Sequence, residues 1–239
     1  LLVIVYYAFT DGQGQFSAEN FLHFFTNGKA VGTLVYSFAI AAVSTAVCLL
    51  IAYPTALALA RGGYRKSRVL LMLFVMPMWI NFALRLTALK EILTVLEGNL
   101  AYYPFLNTII GMTYDFLPFM ILPIYTVMKK MDRRVIEAAE DLGAPPRTVF
   151  ARVVIPLSLP GVVSGITMVF MPAVTTFAIS RLLGNGVIYL IGDAIENYFI
   201  TFSNRNVGSA LSLVLMVLII ISIGLLRKAD PKGEGGALW

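Results

Sequence analysis

Six stretches of the chain are apolar enough to be read as membrane-crossing segments: residues 1–9, 30–60, 69–86, 107–128, 153–179 and 207–226. Crossing the hydrocarbon of a bilayer takes roughly 20 apolar residues as helix. The first stretch, Leu1–Phe9, is shorter and is read as the end of a span truncated at its start, not as a cleaved signal peptide. The second is long for one crossing and holds Pro54, which removes a backbone donor and predicts a tilt or kink near its end. Pro118 and Pro123 interrupt the fourth span, and Pro156, Pro160 and Pro172 lie around the fifth. Irregular helix is tolerated at membrane depth where it is buried or lines water, so these two spans are the expected translocation pathway. Curvature for packing is the alternative, and Gly161 with Gly165, four residues apart, fits a close helix–helix contact. The expected fold is an all-α integral membrane protein, one transmembrane domain over residues 1–239.

Between the fourth and fifth spans, residues 131–156 are too polar to cross and too patterned to be a loose connection. Val135, Ala138, Ala139 and Leu142 recur at helical spacing, with Arg133, Arg134, Glu137, Glu140 and Asp141 on the remaining face. Gly143 stands where a C-cap uses a left-handed residue, and Pro145 and Pro146 prevent continuation. Pro146 can open a second helix, expected through Thr148–Val154 up to Pro156. An amphipathic helix of this kind carries an apolar stripe that nothing in its own chain need cover, so it calls for a partner.

Composition agrees with the membrane reading: 59% of the 239 residues are hydrophobic and 13% charged, against roughly 45–50% and about 25% in soluble domains. The single Cys48 and single His23 exclude an intrachain disulfide, a zinc cluster and a Cys-His nucleophile pair. The net charge of +5 follows topology rather than nucleic acid, because thirteen of the eighteen Lys and Arg residues follow spans two, four and six. They are Arg61, Arg65, Lys66 and Arg68, then Lys129, Lys130, Arg133, Arg134, Arg147 and Arg152, then Arg227, Lys228 and Lys232. Basic residues concentrate in cytoplasmic loops, which puts these loops and the C-terminus in the cytoplasm. Asp11, Glu19, Glu91, Glu97, Asp193 and Glu196 fall on the other side, which suits a cationic solute or ordinary solvation of external loops.

Asp115, beside Tyr114, is the acidic residue placed inside a span, and an ionisable group at that depth faces a cavity, a partner or the bundle interior. It reads as a substrate-path carboxylate or as one half of an ion pair with Arg85. Trp79 and Asn81 in the third span, like Tyr102 and Tyr103, read either as part of such a path or as an interfacial aromatic belt. Carboxylates and aromatic faces are what an organic polycation needs, so Asp115, Tyr114, Trp79, Asn81, Asp193 and Glu196 are the candidate substrate-path residues.

Glu137, Ala138 and Ala139, then Leu142 and Gly143, then Ile155, Pro156 and Leu157, resemble the EAA loop of permease subunits of ATP-binding-cassette (ABC) importers. The resemblance extends through Pro77–Asn81 with Arg85, Leu117–Met120 with Pro123 and Tyr125, Pro160-Gly161, Met171–Ala173 and Leu190–Gly192. Over roughly Ala52 to Leu226 the chain is similar to spermidine/putrescine permeases, the first of their two permease subunits, and departs from them at Asp115 and over Asn185–Asn206. The resemblance implies a type I ABC importer permease fold in which residues 131–156 form a cytoplasmic coupling helix docking on an ATP-binding subunit. It implies as partners a second homologous permease, two ATP-binding cassette subunits and an extracytoplasmic polyamine-binding protein, in the lipid of a bacterial inner membrane. ATP and Mg are then bound by partner subunits, this chain holding no cofactor or metal and catalysing no chemistry. It has no GxxxxGK[ST] loop to cradle a phosphate. The alternatives are an ABC permease for another small solute and an ion-coupled carrier or channel, which would account for Asp115 but not for the 131–156 loop.

Overall fold

A computed structural model describes residues 1–11, 13–26, 28–62 and 67–228. Arg65, Lys66 and Lys232 therefore lie outside the described residues. Among the described residues four helices are long and apolar enough to cross a membrane: Gly28–Arg61, Pro104–Lys130, Pro146–Thr175 and Arg205–Leu225; Ser67–Trp79 and Phe82–Glu97 reach that length only as a pair broken between them. In chain order the helices are α1 (Leu2–Ala8), α2 (Glu19–Thr26), α3 (Gly28–Arg61), α4 (Ser67–Val75), α5 (Phe82–Glu97), α6 (Pro104–Lys130), α7 (Arg133–Asp141), α8 (Pro146–Val149), α9 (Ile155–Thr175), α10 (Ala178–Leu183), α11 (Ile191–Ile200) and α12 (Arg205–Lys228).

Residues 1–9 hold the seven-residue α1, about 10 Å of helix. Two other expected spans take a different form. Residues 69–86 are not one helix. After α4 the chain tightens into a 3₁₀ turn over Met76–Trp79, with Pro77 in its first positions, and Ile80 is extended (ψ 142°) before α5 begins. Pro77 lacks the N–H that would bond back into α4, and it disfavours helical geometry at the residue before it. Residues 153–179 are displaced at both ends: the helix begins at Pro146, passes through Pro156, and stops at Thr175. Pro156 does not end it because Phe150–Val154 form a π turn just before, in which Ile155 N–H bonds to the Phe150 carbonyl five residues back. The wider ladder absorbs the donor and the space that a proline removes.

The described chain divides into two compact units. The first takes residues 1–44, 82–114 and 170–224. Ala8, Ala210 and Leu213 pack there with Ile4, Val5, Phe21 and Met216. The Asn206 amide donates to the Tyr7 carbonyl at 3.1 Å and to that of Thr10, while Asn20 donates to the Ala8 and Thr10 carbonyls at 3.1 and 3.0 Å. These two amides hold the end of α1, where carbonyls lack helical partners. Gly111 of α6 leaves room for Leu183 of α10, which a Cβ there would strike.

The second unit takes residues 45–81 and 115–169 and the chain from Leu225. Met120, Ile121, Ile124 and Met128 of α6 are buried to within 1%. A Cβ on Gly161 of α9 would stand 2.9 Å from the Pro123 carbonyl oxygen, and one on Gly165 would stand 2.6 Å from Met120 Sδ. Small residues thus let α6 and α9 approach closely, the contact on which helix association in lipid depends. Tyr53 and Ser158 hydroxyls share a hydrogen bond at 2.9 Å between α3 and α9.

Candidate functional site

The second unit carries a capped and uncovered helix. Asp132 opens α7 by accepting the Arg134 N–H on its side chain at 3.0 Å, the bond that Asp at an N-cap supplies. At the far end Gly143 has φ +77°. Its N–H bonds to the Glu140 carbonyl at 2.8 Å, and the Ala144 N–H reaches the Ala139 carbonyl at 3.2 Å. This pair of bonds is a Schellman closure, for which a left-handed glycine is the least strained residue. Pro145 and Pro146 then start α8. Glu137 and Ala138 are exposed and Ala139 is half-buried. Val135 is 47% exposed and Leu142 88% exposed. The apolar stripe expected along Val135, Ala138, Ala139 and Leu142 faces outward for most of its length.

The candidate substrate-path residues are divided between the units, Tyr114, Asp193 and Glu196 in the first and Trp79, Asn81 and Asp115 in the second. Asp115 is buried within α6 (5% exposed), whereas Tyr114 before it is exposed. Arg85 is buried in α5. Trp79 is 85% exposed in the 3₁₀ turn, and Asn81 follows in the break before α5. An exposed indole next to a helix break matches the belt reading as well as the path reading.

Asp193 and Glu196 are brought together on α11 in the first unit, three residues apart, but do different things. Asp193 is buried, and its Oδ2 accepts the Ser180 hydroxyl at 2.7 Å and the Leu190 N–H at 2.9 Å. The second bond makes it the N3 carboxylate that reaches back to cap its own helix. Burial pushes this carboxyl above its ordinary value, against the opposing pull of the Ser180 and Leu190 hydrogen bonds. The next backbone donor, Ile191 N–H, is taken by Ser37 Oγ of α3 at 2.7 Å. Glu196 is half-buried, and Arg181 of α10 grips its carboxylate with both terminal nitrogens, one bond measuring 2.9 Å. The same guanidinium lies 5.8 Å from the centroid of the Phe177 ring.

Sequence reasoning missed Arg181 and Phe177 as companions of Glu196, and Ser180 and Ser37 as those of α11. They lie on separate elements, with no shared helical spacing. The available signal was the turn that folds α10 back toward α11: Asn185 and Gly186 have φ +49° and +73°, the conformation that Asn-Gly pairs favour.

A sequence profile of the family described as "Binding-protein-dependent transport system inner membrane component" matches residues 52–232. The spermidine/putrescine transport system permease protein PotB of Haemophilus influenzae is 35% identical over 226 residues, covering 89% of this chain and 79% of that protein. Its Escherichia coli namesake is 34% identical over 200 residues, covering 78% and 73%. Among solved structures, an inward-facing MetNI methionine ABC transporter aligns with TM-score 0.59 at 20% identity, over 83% of this chain and 91% of that one. A bacterial ABC transporter involved in the import of the acidic polysaccharide alginate aligns with TM-score 0.65 at 12% identity, over 95% and 88%. At those identities the two structures speak to the fold alone, which is that of an ABC importer permease. The chain belongs to the binding-protein-dependent transport system inner membrane components, as a transport permease subunit and not an enzyme.

Proposed function

We propose that this chain is one of two permease subunits of an ATP-driven importer for polyamines of the spermidine and putrescine kind, working as one transmembrane domain that forms half of the translocation pathway. The observation that carries the reading is α7, a short helix capped at both ends whose apolar stripe stays exposed. It offers Ala138, Leu142 and the exit at Gly143 to an ATP-binding subunit, with Glu137 and Ala139 in the same segment. ATP and Mg belong to two such subunits, a second homologous permease completes the pathway, and an extracytoplasmic binding protein delivers the solute. The polyamine follows from the relatives at 34–35% identity named as spermidine/putrescine permeases, and from the carboxylates Asp115 and Glu196, whose charge suits ammonium groups. Asp193 serves the path by fixing the helix that presents Glu196, and Tyr114, Trp79 and Asn81 remain path candidates. The Lys and Arg that follow the second, fourth and sixth apolar stretches support a bacterial inner-membrane location with the α7 segment and the C-terminus on the cytoplasmic side.

Co-purification tests the coupling half of this reading. The tagged chain should retain the ATP-binding subunit when co-expressed with its partners, and should lose it when Leu142 is replaced by Asp. Retention unaffected by Leu142→Asp would remove α7 from the docking surface.

A further inference from the structure

Arg181 satisfies Glu196 with the two kinds of contact that an alkylammonium ion would make. A carboxylate meets the charge and an aromatic face lies beside it. The guanidinium spans both oxygens of Glu196 and sits 5.8 Å from the Phe177 ring centroid. Glu196 and Phe177 join Met171, Leu215, Met216 and Ile219 in lining an apolar groove of about 640 Å³. That volume lies in the usual range for small-molecule sites, roughly 300–1,000 Å³. A groove of aliphatic, aromatic and thioether groups with one carboxylate in its lining fits a solute made of ammonium groups on an alkyl chain.

The occupant can exchange. The Arg181 side chain is 49% exposed, so water screens the pair and offers the guanidinium other partners. Glu196 is the more enclosed partner at 17%, so the carboxylate stays in place when the guanidinium swings away. The buried Asp193 fixes the start of α11 through Leu190 and Ser180, which keeps Glu196 aimed at the groove.

We infer that the Glu196 carboxylate and the Phe177 ring form an alkylammonium site that Arg181 occupies in the absence of solute, so that a cationic solute enters by displacing an internal cation. Arg181 is then a specificity-determining residue: a neutral solute cannot compete for Glu196. This inference rests on the polyamine reading above. It predicts that removing the internal competitor tightens apparent affinity, since a site that is free only part of the time binds with its affinity reduced by that fraction.

The test uses the assembled transporter with its binding protein in proteoliposomes, reading spermidine uptake against concentration. Arg181→Gln should lower the half-saturating concentration by about three- to tenfold. Glu196→Gln should raise it, and the double variant should behave as Glu196→Gln alone. Arg181→Lys, which keeps a cation but loses the fork, should fall between wild type and Arg181→Gln, and it decides the matter if Arg181→Gln assembles poorly. If Arg181→Gln and Glu196→Gln lower uptake equally with no change in half-saturation, the pair is a structural tie and the inference is overturned. If the wild-type complex takes up another solute and not spermidine, the polyamine reading falls and carries the inference with it.

Discussion

Replacing Gly192 with alanine should loosen the helix that carries Asp193 and Glu196. The added Cβ would lie 2.6 Å from the Thr175 carbonyl oxygen, 2.8 Å from that of Thr176 and 3.1 Å from the Thr176 carbonyl carbon. Carbon–oxygen contacts settle at about 3.3–3.6 Å, so roughly half an ångström or more must be found. All three neighbours are backbone atoms, and no flexible side chain can yield. The start of α11 cannot retreat freely, because Ile191 N–H is bonded to Ser37 Oγ at 2.7 Å and Leu190 N–H to Asp193 at 2.9 Å. Overpacking of this kind costs about 1–3 kcal/mol, and losing the Ser37 bond adds about 0.5–1.5 kcal/mol. Helix propensity favours alanine over glycine by at most about 1 kcal/mol, so the clash wins. Each kcal/mol moves the melting temperature of a chain this size by about 2–4 °C. Gly192→Ala should therefore melt below wild type in detergent, by roughly 1–14 °C, measured by dye-free thermal unfolding. Gly32→Ala, exposed in α3 with nothing within 4 Å of its Cβ, is the control and should melt at or above the wild-type temperature. A Gly192→Ala protein as stable as wild type would refute the close approach of α11 to the end of α9.

Single cysteines at Arg68 and Arg147, introduced after replacing the buried Cys48, should react with a membrane-impermeant thiol reagent only from the cytoplasmic side; Ser67 is a poorer site, being 9% exposed. Labelling from outside intact cells would reverse the topology. Gly143→Val should insert and assemble less well or hydrolyse ATP without solute control, since its φ of +77° costs a non-glycine residue about 1–2 kcal/mol, and more for a β-branched one, while Gly143→Asn should retain most activity; equal transport by both would reject a role for the left-handed exit. Asp115→Asn separates the two readings of that residue. A path carboxylate gives reduced uptake with normal assembly and basal ATP hydrolysis, whereas a pair with Arg85 gives reduced folded yield, by about 3–5 kcal/mol for a stranded buried cation, partly rescued by Arg85→Gln. Normal uptake and yield would dispose of both.

The long apolar runs were legible because length alone decides them: α3, α6 and α12 each fall within three residues of their expected limits. The break at Pro77–Asn81 was not, because the apolar composition on its two sides is continuous and only the proline marks it. Pro156 misled in the opposite direction, since a π turn one step earlier lets a helix carry a proline that would otherwise stop it. The cap at Gly143 was readable from local chemistry, as left-handed closure followed by two prolines leaves few other conformations. The pairing of Glu196 with Arg181 and of Asp193 with Ser180 was not, because it depends on α10 folding back beside α11 across the Asn185-Gly186 turn. Asp193 looked like an outward carboxylate in sequence for the same reason. Nothing local distinguishes a helix-capping Asp from an exposed one until the residue that buries it is known.

A chain that passes a cation under the control of ATP hydrolysis elsewhere in the assembly should make that hydrolysis respond to the solute. The chain would be reconstituted with its second permease, its ATP-binding subunits and its binding protein, then offered spermidine, putrescine, an amino acid and a neutral sugar in turn. Stimulation is expected from one or both polyamines and not from the sugar, and in Glu196→Gln half-maximal stimulation should need a higher polyamine concentration than in wild type. Stimulation by the amino acid or sugar alone, or hydrolysis indifferent to every solute, would contradict the polyamine reading.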